Sequence, residues 1–167
     1  LGHLLPHQIE GVLFAASRGF RILLADDMGL GKTVQAVAIS TVFGFPKKRT
    51  LVVSPSGLTS SWVEAYTRWT SVSPSQINLA TQSSSLPNQP LTIVSFTIAS
   101  KISQNLHDAH FELVIVDECH EMKNQKSNMF TKISPIVIDA PGAILISGTP
   151  SLNRPSELFS ILRMLRP

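Results

Sequence analysis

An apolar run, Arg21 to Ala25, passes directly into Asp26-Asp27-Met28-Gly29-Leu30-Gly31-Lys32-Thr33, and a helix-compatible segment follows to Phe43. A strand, a glycine-rich turn and a helix in that order place the chain among α/β folds. They also define a site. Such a turn aims several backbone N–H groups at one spot, where the helix dipole favours an anion. Side chains at Gly29 and Gly31 would block that approach. Lys32 can meet the β- and γ-phosphates of a nucleotide as a point charge, and the Thr33 hydroxyl can ligate Mg²⁺. The strict phosphate-loop pattern starts with glycine, whereas Asp26 stands at that position here. A chance Gly-Lys-Thr in a turn is the alternative, and the flanking strand and helix argue against it.

The rest of the chain keeps the same rhythm. Short apolar runs at Arg21–Ala25, Thr50–Ser54, Ile77–Ala80, Leu91–Ser95, Leu113–Asp117 and Ala143–Ser147 read as strands. Several are nearly continuous in Val, Ile and Leu, as strands covered on both faces are. Helical spacing is found at Pro6–Ser17, Lys32–Phe43, Gly57–Trp69, Thr97–Asp108, Ser127–Ile133 and Pro155–Leu165. Gln82 to Pro90 reads as a surface loop. The predicted fold is a three-layer α/β/α domain with a mostly parallel sheet. At 167 residues, 43% hydrophobic and 15% charged, one globular domain suffices. The sequence starts at Leu1 rather than Met and ends at Pro167 after a helix-like segment, so a piece of a longer protein is expected.

A second constellation lies about 85 residues beyond Lys32, where Val114-Ile115-Val116 ends in Asp117-Glu118-Cys119-His120. Ligands of open α/β sheets bind at the carboxyl ends of strands, so this acidic tip can sit beside the phosphate loop. Asp117 suits a Mg²⁺ ion, reached through water, and Glu118 suits the orientation and deprotonation of an attacking water. A solvated turn is the plain reading of Asp-Glu after a strand; the upstream loop favours the functional one. Cys119 reads as a small residue that fits. A lone cysteine excludes an internal disulfide framework and fits a reducing compartment. No apolar run approaches the ~20 residues that span a bilayer, so no membrane partner is expected. A net charge of +3 is compatible with a polyanionic partner without specifying one.

Together these segments resemble lobe 1 of the Swi/Snf-type DNA translocases of helicase superfamily two, a RecA-like fold. Leu4-Leu5-Pro6-His7-Gln8 with Gly11 is similar to that family's opening motif, which implies that Gln8 reads adenine. Asp26 through Thr33 matches its phosphate loop, which also lacks the first glycine. Leu51 through Ser56 with Trp62, Thr92 through Phe96, the Asp117–His120 box, Lys123-Asn124 and Ser147-Gly148-Thr149-Pro150 complete the resemblance. Cys119 departs from it, since relatives carry Ala or Ser there. Within the family, Arg21 through Asp27 and Ser147 through Phe159 look most like the annealing helicases, which remodel stalled forks. A nucleosome-remodelling lobe is the alternative.

The resemblance implies ATP and Mg²⁺ as cofactors, double-stranded or branched DNA as partner, and a second RecA-like lobe that supplies an arginine finger. It also implies a nuclear location, and contacts to single-stranded-DNA-binding or replication-fork proteins through regions outside this sequence. Ser54, Pro55, Ser56, Ser95 and Phe96 would face the tracked strand, with Lys123 adding charge. Lys123, like Lys126 and Lys132, fits that face or an ordinary solvated one. Ser147, Gly148 and Thr149 would relay between the ATP and DNA sites. Trp62 and Trp69, seven residues apart, are assigned to packing. A small P-loop kinase or GTPase is a rival reading, though the chain has no guanine-specific Asn-Lys-x-Asp segment. A non-hydrolysing nucleotide-binding module is another, and Lys32, Asp117 and Glu118 argue against it.

Overall fold

A computed structural model describes residues 4–27, 29–82, 86, 88–122, 124–148 and 155–165. Met28, Lys123, Thr149, Pro150 and Arg154 therefore lie outside the described residues. Six strands, β1 (Arg21–Leu24), β2 (Thr50–Ser54), β3 (Ile77–Leu79), β4 (Leu91–Ser95), β5 (Leu113–Val116) and β6 (Gly142–Ile146), form one sheet. Its order is β1-β6-β5-β2-β4-β3, and every pair is parallel. Parallel strands need long crossovers, and the helices supply them. These are α1 (Pro6–Ser17), α2 (Lys32–Phe43), α3 (Thr59–Trp69), α4 (Phe96–Lys101), α5 (Ser103–Asp108), α6 (Asn128–Asp139) and α7 (Pro155–Leu165).

The strands send alternate residues to opposite faces. Val52, Ile93, Ile115 and Ile144 pack against α1, α2 and α3 through Val12, Ala36, Ile39, Trp62 and Tyr66. Val53, Val94, Val116 and Leu145 pack on the other side against α4 to α7 through Ala99, Leu106, Ile133, Val137 and Ile161. The expected three layers are present, with both faces of the central strands sealed.

Three helical expectations shift. The segment Thr97–Asp108 is two helices that part at Ile102, whose backbone serves as the C-cap of α4 and the N-cap of α5. The segment Gly57–Trp69 opens with a 3-10 turn over Ser56–Leu58 before α3 begins. Helix α6 continues past Ile133 and through Pro135 to Asp139. Proline removes an N–H, leaving the carbonyl four residues back without its donor. That residue is Thr131, which is exposed, so water can take the freed acceptor.

At the start of β1, Arg21 fastens the layer below. Its guanidinium donates to Val137 O (3.1 Å), Met164 O (2.6 Å), Leu165 O (3.1 Å) and Ala140 O. One cation thus closes the C-terminal ends of α6 and α7, where the helix dipole favours positive charge. Burial lowers its pKa, but a guanidinium stays charged at any physiological pH.

Candidate nucleotide and nucleic-acid site

Because all strands run parallel, their carboxyl ends share one edge of the sheet. The order places Asp26 after β1, Ser147 after β6, Asp117 after β5, Ser54 at the end of β2 and Ser95 at the end of β4. From β1 to β4 is four strand spacings, or about 19 Å. Segments scattered through the chain thus become one row.

The phosphate loop occupies the β1 end. Gly29 (φ 85°) and Gly31 (φ 77°) are both left-handed, a conformation that carries little cost only for glycine. Gly31 also sits against Gln8, and a Cβ there would lie 2.5 Å from Gln8 Nε2. Gly31 is the N-cap of α2 and has no side chain to cap the first amides, so these remain available to an anion. Lys32 Nζ donates to Asp26 O (2.7 Å) and Asp27 O (2.9 Å), folding the amine over the loop. Gln8 is buried, with Oε1 accepting from Leu5 N (3.0 Å) and Nε2 donating to Leu30 O (3.2 Å). His7 reaches the same Leu30 carbonyl at 3.1 Å. The residue assigned to adenine therefore ties α1 to the phosphate loop. Beside the loop, a hollow of ≈ 460 Å³ is lined by His7, Gly11, Asp26, Leu30 and Gln35. Gln35 is buried, and its Oε1 has no protein hydrogen-bond partner.

Two strands away, Asp117 is 8% exposed and both of its oxygens are engaged. Oδ2 accepts from the indole Nε1 of Trp62 at 2.9 Å, and Oδ1 accepts from Glu118 N at 3.0 Å. Desolvation pushes its pKa up, and the neighbouring Glu118 charge adds to the rise. The Trp62 and Glu118 N–H groups and the Lys32 charge oppose it. The phosphate loop after β1 and the acidic tip after β5 stand on the same edge of the sheet, with the β6 tip between them. Glu118 takes a left-handed backbone (φ 49°), which turns the chain into the 3-10 turn Cys119–Met122. Its Oε2 lies 3.2 Å from His120 Nδ1 without the alignment of a hydrogen bond, and accepts a long 3.5 Å contact from Gly148 N. The β6 tip therefore touches the acidic box directly, while Ser147 N donates to Leu24 O on the β1 side (3.0 Å). Cys119 is fully buried, and desolvation pushes its thiol up to about 12, with the two carboxylates adding to the rise. A thiol so protonated is inert, as its reading as a small residue that fits anticipates.

The donor set suits a Mg²⁺ bound together with phosphates. No cluster of three His, Cys, Asp or Glu among the described residues could cage a metal alone. Mg²⁺ generally takes one or two protein oxygens and completes its shell with phosphates and water. Thr33 at the start of α2 and Asp117 at the end of β5 are the two protein groups that fit.

Farther along the edge, Ser54 and Ser95 are register partners on β2 and β4. Ser54 is buried, Pro55 half-buried and Ser56 exposed. Ser95 caps α4 by accepting from Ile98 N (3.4 Å). Phe96 is only 5% exposed and belongs to the core, so only its backbone remains at the edge. A small groove of ≈ 180 Å³ runs between these tips, lined by Ser56, Thr59, Leu79, Thr81 and Ser95. Lys126 and Lys132 are both exposed. Trp69 is 40% exposed and so is not a core residue. Trp62 is, at 1%, but its indole also holds a carboxylate of the acidic box, a role no periodicity or spacing signals.

Comparison with known proteins decides the family. The SNF2-related domain matches residues 7–167. The chain belongs to the SNF2-related family. It is 39% identical over 169 residues to the Xenopus laevis protein "SWI/SNF-related matrix-associated actin-dependent regulator of chromatin subfamily A-like protein 1", covering 100% of this chain and 17% of that protein. It is 38% identical over 172 residues to human "DNA annealing helicase and endonuclease ZRANB3", covering 98% of this chain and 16% of that protein. Among solved structures, "Sulfolobus solfataricus SWI2/SNF2 ATPase core in complex with dsDNA" superposes with a TM-score of 0.84 at 25% identity, covering 99% of this chain and 36% of that one. This SNF2-related chain therefore has the RecA-like fold and spans less than a fifth of the length of these two relatives. Among the described residues, no helix is long and apolar enough to cross a membrane.

Proposed function

We propose that this chain is the ATP-binding lobe of a DNA-dependent ATPase that tracks along double-stranded DNA, of the annealing, fork-remodelling kind. The observation that carries the reading is the single edge that bears Lys32, Asp117 and Glu118, with the Ser54 and Ser95 tips farther along it. The α2 amides and Lys32 would hold the phosphates, and Thr33 and Asp117 would hold Mg²⁺, which when bound would supply charge neutralisation at the phosphates. Glu118 lies beyond Asp117, where it can orient a water and take its proton. The Ser54–Ser56 and Ser95 tips offer hydroxyls and backbone amides to a phosphate backbone, a mode that reads no base and weakens as salt rises.

The name of the human relative supports the annealing reading, that of the Xenopus laevis relative points to chromatin, and both fit a nuclear protein. Phosphoryl transfer in this arrangement needs a further cation at the γ-phosphate, which a second RecA-like lobe provides. This chain alone is therefore expected to bind MgATP weakly and to turn it over slowly. The test is ATP hydrolysis by the two-lobed protein with and without duplex or forked DNA, alongside re-annealing of a single-stranded bubble. DNA-stimulated hydrolysis with annealing supports the reading. Hydrolysis indifferent to DNA returns the chain to the general P-loop class, and stimulation by nucleosomes alone makes it a chromatin remodeller.

A further inference from the structure

The bond between Trp62 and Asp117 does more than fill space. A buried indole N–H needs an acceptor, and many buried carbonyls could serve. Here it takes one oxygen of a carboxylate that an ion also requires, while Glu118 N takes the other oxygen. Two fixed donors on two oxygens set the plane of the carboxylate and leave each oxygen a second lone pair. Hydrogen-bond partners of this kind orient metal-binding carboxylates generally.

The helix that carries Trp62 has two further connections. Its N-terminus follows the Ser56–Leu58 turn, which leaves the β2 tip at Ser54. One turn after Trp62, the fully buried Tyr66 donates its hydroxyl to Ser40 Oγ at 3.1 Å. Ser40 lies on α2, the helix that begins at Lys32. Helix α3 is thus hydrogen-bonded to Asp117 and to the body of α2, and continuous with the tip assigned to DNA.

We propose that Trp62 is a positioning residue, whose indole N–H sets the Asp117 carboxylate for Mg²⁺, and that α3 carries the placement of the Ser54–Leu58 connection to that carboxylate. This rests on the nucleotide reading above. It adds a physical link between the nucleic-acid edge and the metal ligand, separate from the contact between Gly148 and Glu118.

The sequence contains two tryptophans, Trp62 and Trp69, so ¹⁵N labelling of this chain yields one indole signal from the proposed link and one control on the same helix. With ATPγS bound, adding Mg²⁺ is expected to move the Trp62 indole signal and leave that of Trp69 in place. Duplex DNA is expected to move the Trp62 signal as well. The variant Trp62→Phe, which keeps the ring and loses the N–H, is expected to weaken Mg²⁺ about tenfold and leave metal-free nucleotide affinity unchanged. Trp69→Phe changes neither. If nucleotide binds but the Trp62 signal ignores Mg²⁺, or if Trp62→Phe folds with unchanged Mg²⁺ affinity, the positioning role is overturned. Should Trp62→Phe fail to fold, the wild-type titration alone decides. A Trp62 signal blind to DNA while the Ser54–Ser56 amides move overturns the link through α3. Gly31 and Lys32 amides unmoved by nucleotide would instead sink the nucleotide reading, and this proposal with it.

Discussion

The two edges of this sheet are built on opposite principles. At the amino ends of the strands, arginines are tied to backbone carbonyls of the neighbouring helices. Arg21 meets four helix carbonyls, and Arg49 donates from its guanidinium to Ala109 O (2.8 Å) while its backbone N–H meets Glu112 Oε2 (2.8 Å). The Arg49 guanidinium also lies over the Phe111 ring, 4.8 Å from its centroid. At the carboxyl ends, groups are held in states that cost energy. Asp117 is desolvated beside a second acid, Glu118 has a left-handed backbone, and the first amides of α2 have no side-chain cap. One edge holds the layers together, and the other carries the groups that a ligand would meet. Substitutions at the carboxyl edge should therefore affect activity and those at the amino edge stability, with some carboxyl-edge changes raising stability.

The largest effect is expected from Glu118→Gln in the two-lobed protein. The variant keeps the side-chain shape and cannot accept a proton, so DNA-stimulated ATP turnover should fall about 10²–10⁴-fold, with nucleotide affinity and melting temperature nearly unchanged. Unchanged turnover would remove Glu118 from the chemistry. Next is Arg21→Met at the opposite edge. It leaves carbonyls of α6 and α7 without their cation, and urea unfolding should register a loss of about 2–3 kcal/mol. The folded fraction should bind MgATP as before. A variant of undiminished stability would show that other contacts close these helix ends.

This contrast also accounts for what could be read in advance. The strands and their parallel order follow from continuous Val, Ile and Leu runs separated by helix-length crossovers, a pattern few sheets other than a covered parallel one accept. The phosphate loop and acidic tip were legible because their chemistry demands particular side chains at short spacing. Helix α6 was underestimated: a proline commonly stops a helix, but the carbonyl that Pro135 orphans is that of exposed Thr131, where water can donate to it. Phe96, read with the nucleic-acid edge, turns inward because β4 ends there and α4 begins, directing an aromatic side chain into the core. Trp62 was visible as part of the motif that begins at Leu51 and was assigned to packing, not as a partner of Asp117. Its bond to Asp117 joins residues 55 positions apart and depends on the β2–β5 neighbourhood, which no local pattern encodes.

Asp117→Asn should separate stability from function with opposite signs. Burial raises the folded-state pKa of Asp117 above its ordinary 3.8, so the native chain holds this proton more tightly than the unfolded one. Stability from this group therefore falls as pH rises from about 4 towards the raised value, and stays at the lower level above it. Asparagine removes the buried charge and its single oxygen can accept from Trp62, while the half-buried Glu118 N–H is left to water. At pH 7 the variant should be more stable by about 0.5–2 kcal/mol, the range of a typical stabilising substitution, and it should lose Mg²⁺-dependent nucleotide binding. At a pH below the ordinary value the stability gain should vanish. A gain that persists there would locate its origin outside ionisation.

The smallest effect tests the backbone alone. Glycine in place of alanine normally weakens a structured position by roughly 0.5–1 kcal/mol, because it adds freedom to the unfolded chain. At a left-handed position the order reverses, since any Cβ costs about 1–2 kcal/mol there. Glu118 sits at φ 49°. Glu118→Gly should therefore be more stable than Glu118→Ala by about 1 kcal/mol in urea unfolding, although both lose the acid and both should be equally inactive. The comparison isolates strain from charge, because the two variants share every side-chain loss. If alanine proves the more stable, the turn after Asp117 relaxes to an ordinary backbone in solution, and the carboxyl edge stores less strain than its geometry indicates.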